Sequence, residues 1–175
     1  GNASFSGGDI MLGENALDTM NFGSLTFNST GTVNITEDSA VVLVGNNTAS
    51  SLALTSAGAI SDVAGTGLTV TSNASFTSTS ITLGTSGTVN FGSLTFNSTD
   101  AVNIAEDSAM VLVGTNTADN LTLTANGGSI TQAAGTVTAN ALDLSADTGI
   151  SLPALVVTSV QATNSTSGDV ILSDT

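Results

Sequence analysis

Lysine, arginine, histidine, cysteine, tryptophan and tyrosine are all missing from this 175-residue chain, and proline occurs once. Each absence excludes something. All 14 charged side chains are carboxylates, so the formal net charge is −14, and nothing is available to neutralise phosphate. Nucleic acid and anionic membrane surfaces are therefore excluded as partners. Without cysteine there is no disulfide and no thiol chemistry. Nucleophile-and-base catalysis near neutral pH draws on His, Lys or Cys, none of which is present. A carboxylate pair could still cleave a glycoside. Sugar sites, however, normally present Trp or Tyr platforms, and the only aromatics are six Phe at positions expected to point inward. The expectation is a chain that is not an enzyme. No apolar run is long enough to span a bilayer, so membrane insertion is not expected.

What the chain does contain is repetition. The stretch N-F-G-S-L-T-F-N-S-T at Asn21–Thr30 returns letter for letter at Asn90–Thr99, an offset of 69 residues. The following V-N-I-T-E-D-S-A-V-V-L-V-G-N-N-T-A, Val33 to Ala49, returns as V-N-I-A-E-D-S-A-M-V-L-V-G-T-N-T-A, Val102 to Ala118. Repeats therefore run over approximately 21–89 and 90–158, with 1–20 a partial preceding one, in a single segment covering 1–175. Asn2-Ala3-Ser4-Phe5 echoes Asn73-Ala74-Ser75-Phe76, so the chain reads as starting inside a repeat of something longer.

Between turn-rich clusters, apolar and polar residues alternate over three to five positions, the period of a half-buried strand, and helix signals are missing. The apolar pairs include Leu25 with Phe27, Val33 with Ile35, Val41 with Leu43, Leu52 with Leu54, and either Leu17 or Met20 with Phe22. Roughly three short strands fill each set of about 19 to 27 residues, so one repeat reads as three sets. Self-similarity of this kind points to a stacked architecture and away from a β-sandwich. The expected fold is a parallel β-helix, a β-solenoid of roughly seven to eight coils stacked at about 4.8 Å. Corners are expected at Gly13, Gly45, Gly58, Gly84, Gly114, Gly127 and Gly135, and Pro153 is better placed at a corner than in a ladder.

S-L-T-F-N-S-T-G-T-V-N-I-T-E-D-S-A, S-L-A-L-T-S-A-G-A-I-S-D and N-A-S-F-T-S-T-S-I-T-L-G resemble the tandem β-strand repeats of giant bacterial surface proteins, the filamentous-haemagglutinin-type adhesins and autotransporter passengers. The resemblance covers the chain up to about Leu152. It implies secretion to the cell surface, a right-handed β-helical shaft, and a structural or adhesive role in a filament or matrix. It carries no catalytic motif and no cofactor. The expected partners are further copies of the chain, stacked end to end, and surface glycans. The alternative from another class is a carbohydrate-binding or glycoside-cleaving β-helix.

One acidic pair recurs. Glu37-Asp38 and Glu106-Asp107 occupy equivalent places in the two repeats. If a repeat is three coils, the pairs lie on one edge, about 14 Å apart. Ca²⁺ takes oxygen ligands and could be held there with Ser39 and Ser108. No calcium-loop consensus accompanies the pairs, and the simpler expectation is solvated turn acids.

Overall fold

A computed structural model describes residues 1–15 and 17–174. Every described strand pairing is parallel, and the strands join into one continuous sheet wound about an axis. No helix occurs among the described residues. The protein is a β-solenoid.

Its interior consists of three columns of inward-facing side chains. One column runs from Phe5 to Phe27, continues through Asn47, Leu68 and Val89, and resumes as Met110, Ile130, Ile150 and Val170. The second holds Leu12, Ile35, Leu54, Phe76, Phe96, Asn116, Val137 and Leu155. The third holds Val41, Ile60, Ile81, Val102, Leu121, Leu142 and Val160. The cause is the period-two alternation. Each strand sends alternate residues to the axis, and parallel in-register pairing puts like over like. Leu25, Phe27, Ile35, Leu54, Phe76 and Phe96 are all at most 1% exposed. Of the two candidates for pairing with Phe22, Met20 is half-buried while Leu17 is 94% exposed.

The repeat and the coil do not divide evenly. From Phe27 to Phe96 the chain passes ten successive inward segments, ending at those of Ile35, Val41, Asn47, Leu54, Ile60, Leu68, Phe76, Ile81, Val89 and Phe96. Ten segments on three columns make three coils and one third. Phe27 therefore lies in the first column and its repeat-mate Phe96 in the second, just as Ile35 lies in the second and Ile104 in the third. This corrects the reading of one repeat as three sets, and it explains why the solenoid has about nine turns against the seven to eight expected. The short strands Val41–Leu43 and Asn46–Ala49 are two segments where the sequence suggests one.

Coil length varies, and the variation is absorbed at the corners. Gly13, Gly45, Gly84, Gly114, Gly127 and Gly135 all take positive φ, as their expected corner role requires, whereas Gly58 does not. Pro153 falls where the register breaks between Leu152 and Leu155, a point that asks for no ladder donor.

Candidate functional site

The acidic pairs close gaps in the ladder. Where the chain bends between the strands Thr32–Glu37 and Val41–Leu43, carboxylates rather than carbonyls meet the amides of the coil above. Asp38 Oδ2 accepts from the Met20 amide at 2.8 Å, Glu37 Oε1 accepts from the Phe22 amide at 2.6 Å, and the Asp38 amide donates back to the Met20 carbonyl at 2.9 Å. Ser39 Oγ donates to the same Glu37 oxygen at 2.9 Å. The second copy repeats the device. Asp107 Oδ2 accepts from Val89 N at 2.8 Å, Glu106 Oε1 from Phe91 N at 2.8 Å, and Ser108 Oγ donates to that oxygen at 3.2 Å. The E-D-S triplet is thus a clip in which carboxylates stand in for missing backbone acceptors.

Two expectations about these acids need correction. The glutamates are not solvated, since Glu37 is 1% and Glu106 0% exposed; only the aspartates face water. Nor do the two pairs share an edge. Glu37 ends the second-column strand Thr32–Glu37, and Glu106 ends the third-column strand Val102–Glu106. The one-third rotation separates them. Calcium takes six to eight oxygens. Each corner offers two carboxylates with one oxygen apiece already committed to an amide, and no three acidic side chains converge among the described residues. The donor set does not fit Ca²⁺.

The second oxygens of both glutamates, Oε2, are buried without a hydrogen-bond partner. Burial pushes the Glu106 carboxyl up to about 7 from its ordinary 4.5, against the lowering pull of the Phe91 amide and the Ser108 hydroxyl, and neighbouring Asp107 adds to the rise. A third acid, Asp62, shares the pattern. Its Oδ2 accepts from Gly84 N at 2.9 Å, its Oδ1 is orphaned, and burial raises its pKa.

The second repeat places Gln132 where the first has Asp62, each two residues after a core isoleucine and three before a positive-φ glycine. Gln132 uses both ends of its amide. Nε2 donates to the Gly135 carbonyl at 2.8 Å, and Oε1 accepts from Ala154 N at 3.1 Å. Asp62 can only accept. Asp62→Gln is expected to raise stability by about 1 kcal/mol at pH 8 through the added donor and the lost buried charge. The raised pKa means that the Asp62 contribution is fully present in acid and lost as pH rises, so the gain from Gln shrinks toward pH 3. Urea unfolding at both pH values checks this, and a variant weaker at pH 8 would contradict it.

Two shallow surface grooves lie toward the last coils. One, about 340 Å³, is bordered by Asn120, Thr122, Asp143 and Gln161; the other, about 430 Å³, by Asp119, Asn140, Thr158 and Asp174. Neither has an aromatic wall, because Phe27, Phe76, Phe91 and Phe96 are buried and Phe5 and Phe22 are half-buried. The Asp119 carboxylate is occupied by the Asn120 and Asn140 amides at 3.0 and 2.9 Å. The fold and these sites define the class, a cation-free parallel β-solenoid whose distinctive polar groups serve its own backbone. Comparison with protein-family models, curated proteins and solved structures returns no match.

Proposed function

We propose that this chain is a structural, non-enzymatic segment of an extracellular β-helical shaft, part of a bacterial surface protein or filament with an adhesive role, in which coils stack end to end. The observation that carries the reading is the continuous parallel ladder, in which each coil covers the apolar columns of the one before it while the buried polar side chains serve the solenoid's own backbone. A stack of like coils, each contacting only its neighbours, extends along one axis, which is the form a shaft requires.

The grooves weigh against the carbohydrate-binding or glycoside-cleaving alternative, since neither presents a ring for a sugar to stack on. Electron microscopy of concentrated protein tests the reading. Fibres with a repeat near 4.8 Å or its multiples are expected, and particles that stay monodisperse and globular at high concentration would overturn end-to-end assembly.

Charge makes a separate prediction. With a net charge of −14 and no compensating side chain, carboxylates along the rod repel one another, and added salt screens them. The melting temperature is expected to rise from low salt to seawater-like salt. A flat or falling curve would contradict this.

A further inference from the structure

We propose that Glu106 is a proton-operated latch: with its orphaned oxygen protonated it seals the gap between the Val89–Phe91 segment and the coil below, and on ionisation it leaves the core and releases the seam. The two oxygens of the carboxylate stand in different surroundings. Oε1 takes both available donors, Phe91 N and Ser108 Oγ, while Oε2 faces no donor at all. A carboxylate in this position keeps half its charge-bearing surface unsolvated, which is costly. A proton on Oε2 removes the charge and costs no acceptor, because Oε1 keeps both of its bonds.

The surroundings offer no other remedy. The strands paired above and below Val102–Glu106, Ile81–Leu83 and Asn120–Ala125, carry no titratable side chain, and neither does Thr88–Ser98, whose Phe91 amide donates to Glu106. Among the described residues the only charged group acting on Glu106 is Asp107, also an acid, and the chain has no Lys, Arg or His. In proteins generally a buried glutamate pairs with a cation; a chain without Lys, Arg or His leaves only a proton to neutralise this one. If the glutamate turns out to water, the Phe91 amide loses its acceptor, and because no ladder bond replaces it, the coil opens at that corner.

The direction with pH follows. The folded-state pKa lies above the unfolded value, so the contribution is fully present below about 4.5 and lost as pH rises through about 7. The folding equilibrium constant is expected to fall on the order of a hundredfold from this group between pH 4.5 and pH 8. Glu106→Gln keeps an oxygen for Phe91 and Ser108 without the charge. It is expected to lose most of that pH dependence and, at pH 8, to fold with a larger equilibrium constant than the parent. The same denaturation curves are read alongside a ¹³C titration of the unsubstituted protein, in which the Glu106 carboxyl carbon should titrate near 7. A midpoint near 4.5, or a variant whose pH dependence matches the parent, would overturn the latch. If Glu106→Gln fails to fold, the carbon titration alone decides.

Discussion

Gly84→Ala is expected to cost about 3 to 5 kcal/mol and to leave little folded protein, whereas Gly114→Ala, equally left-handed, costs about 1 to 2 kcal/mol. Both glycines have φ near +70°, at +73° and +69°. The difference is what a methyl group would meet. At Gly84 it would drive into the Ala105 carbonyl oxygen of the next coil, with the carbonyl carbon 3.0 Å away and a Val89 methyl 3.1 Å away. That carbonyl belongs to a strand held in register with its neighbours, so it cannot retreat without breaking ladder bonds. At Gly114 the nearest atom is a Thr95 methyl at 3.6 Å, ordinary contact. The penalty there is only backbone conformation. Denaturant unfolding of the two variants measures both numbers, and equal losses would mean that coils do not approach as closely as described. Gly13 stands one face earlier in the same role against the Thr36 carbonyl, so Gly13→Ala should behave like Gly84→Ala.

Asn116→Leu is the second large effect, an expected loss of about 3 to 5 kcal/mol despite an unchanged number of side-chain heavy atoms and a position in a hydrophobic column. Asn116 is 0% exposed. Its Oδ1 accepts from Phe96 N at 2.9 Å, and its Nδ2 donates to the Val113 and Gly114 carbonyls at 3.1 and 3.2 Å. The turn at Gly114 pulls the chain out of the ladder, and one side chain satisfies the three backbone groups left behind. Leucine would fill the space and strand all three, each at about 1 to 3 kcal/mol before relaxation. Asn47 makes the equivalent bonds to Phe27, Val44 and Gly45, so Asn47→Leu should match it. Calorimetric melts suffice, and a loss below about 1 kcal/mol would show that these amides are dispensable.

The columns were legible because alternation is a direct consequence of strand geometry, and Val33, Ile35, Leu52 and Leu54 face the core as their spacing requires. The same rule, extended one step, reaches the buried acids. Glu37 follows Val33 and Ile35 at the inward parity, and Glu106 follows Val102 and Ile104. Expecting acids in turns to be solvated hides this. Asn47 and Asn116 are harder to see, since Asn two residues after a Gly ordinarily reads as part of the turn, and only the missing ladder acceptor explains its burial. The one-third rotation is harder still. Sixty-nine residues divide as readily into three longer coils as into three and a third shorter ones, and the choice depends on Val41–Leu43 and Asn46–Ala49 turning a corner within three residues of each other. Nothing local in the sequence separates two faces from one there.

The one-third rotation between the two repeats can be measured directly. The chain has no cysteine, so introduced pairs report cleanly. Thr77→Cys with Asn97→Cys places two thiols side by side on adjacent coils of the second column, in register and about 4.8 Å apart along the axis. Oxidation should close that pair to a disulfide in the folded protein. Asn28→Cys with Asn97→Cys joins the identical letters of the two repeats, which lie on different faces, and spin labels there should show a separation across the solenoid in addition to the axial rise. Ready closure at 77 and 97, with labels at 28 and 97 farther apart than the about 14 Å of three stacked coils, is the predicted result. Failure to close, or label distances placing 28 directly above 97 on one face, would contradict it.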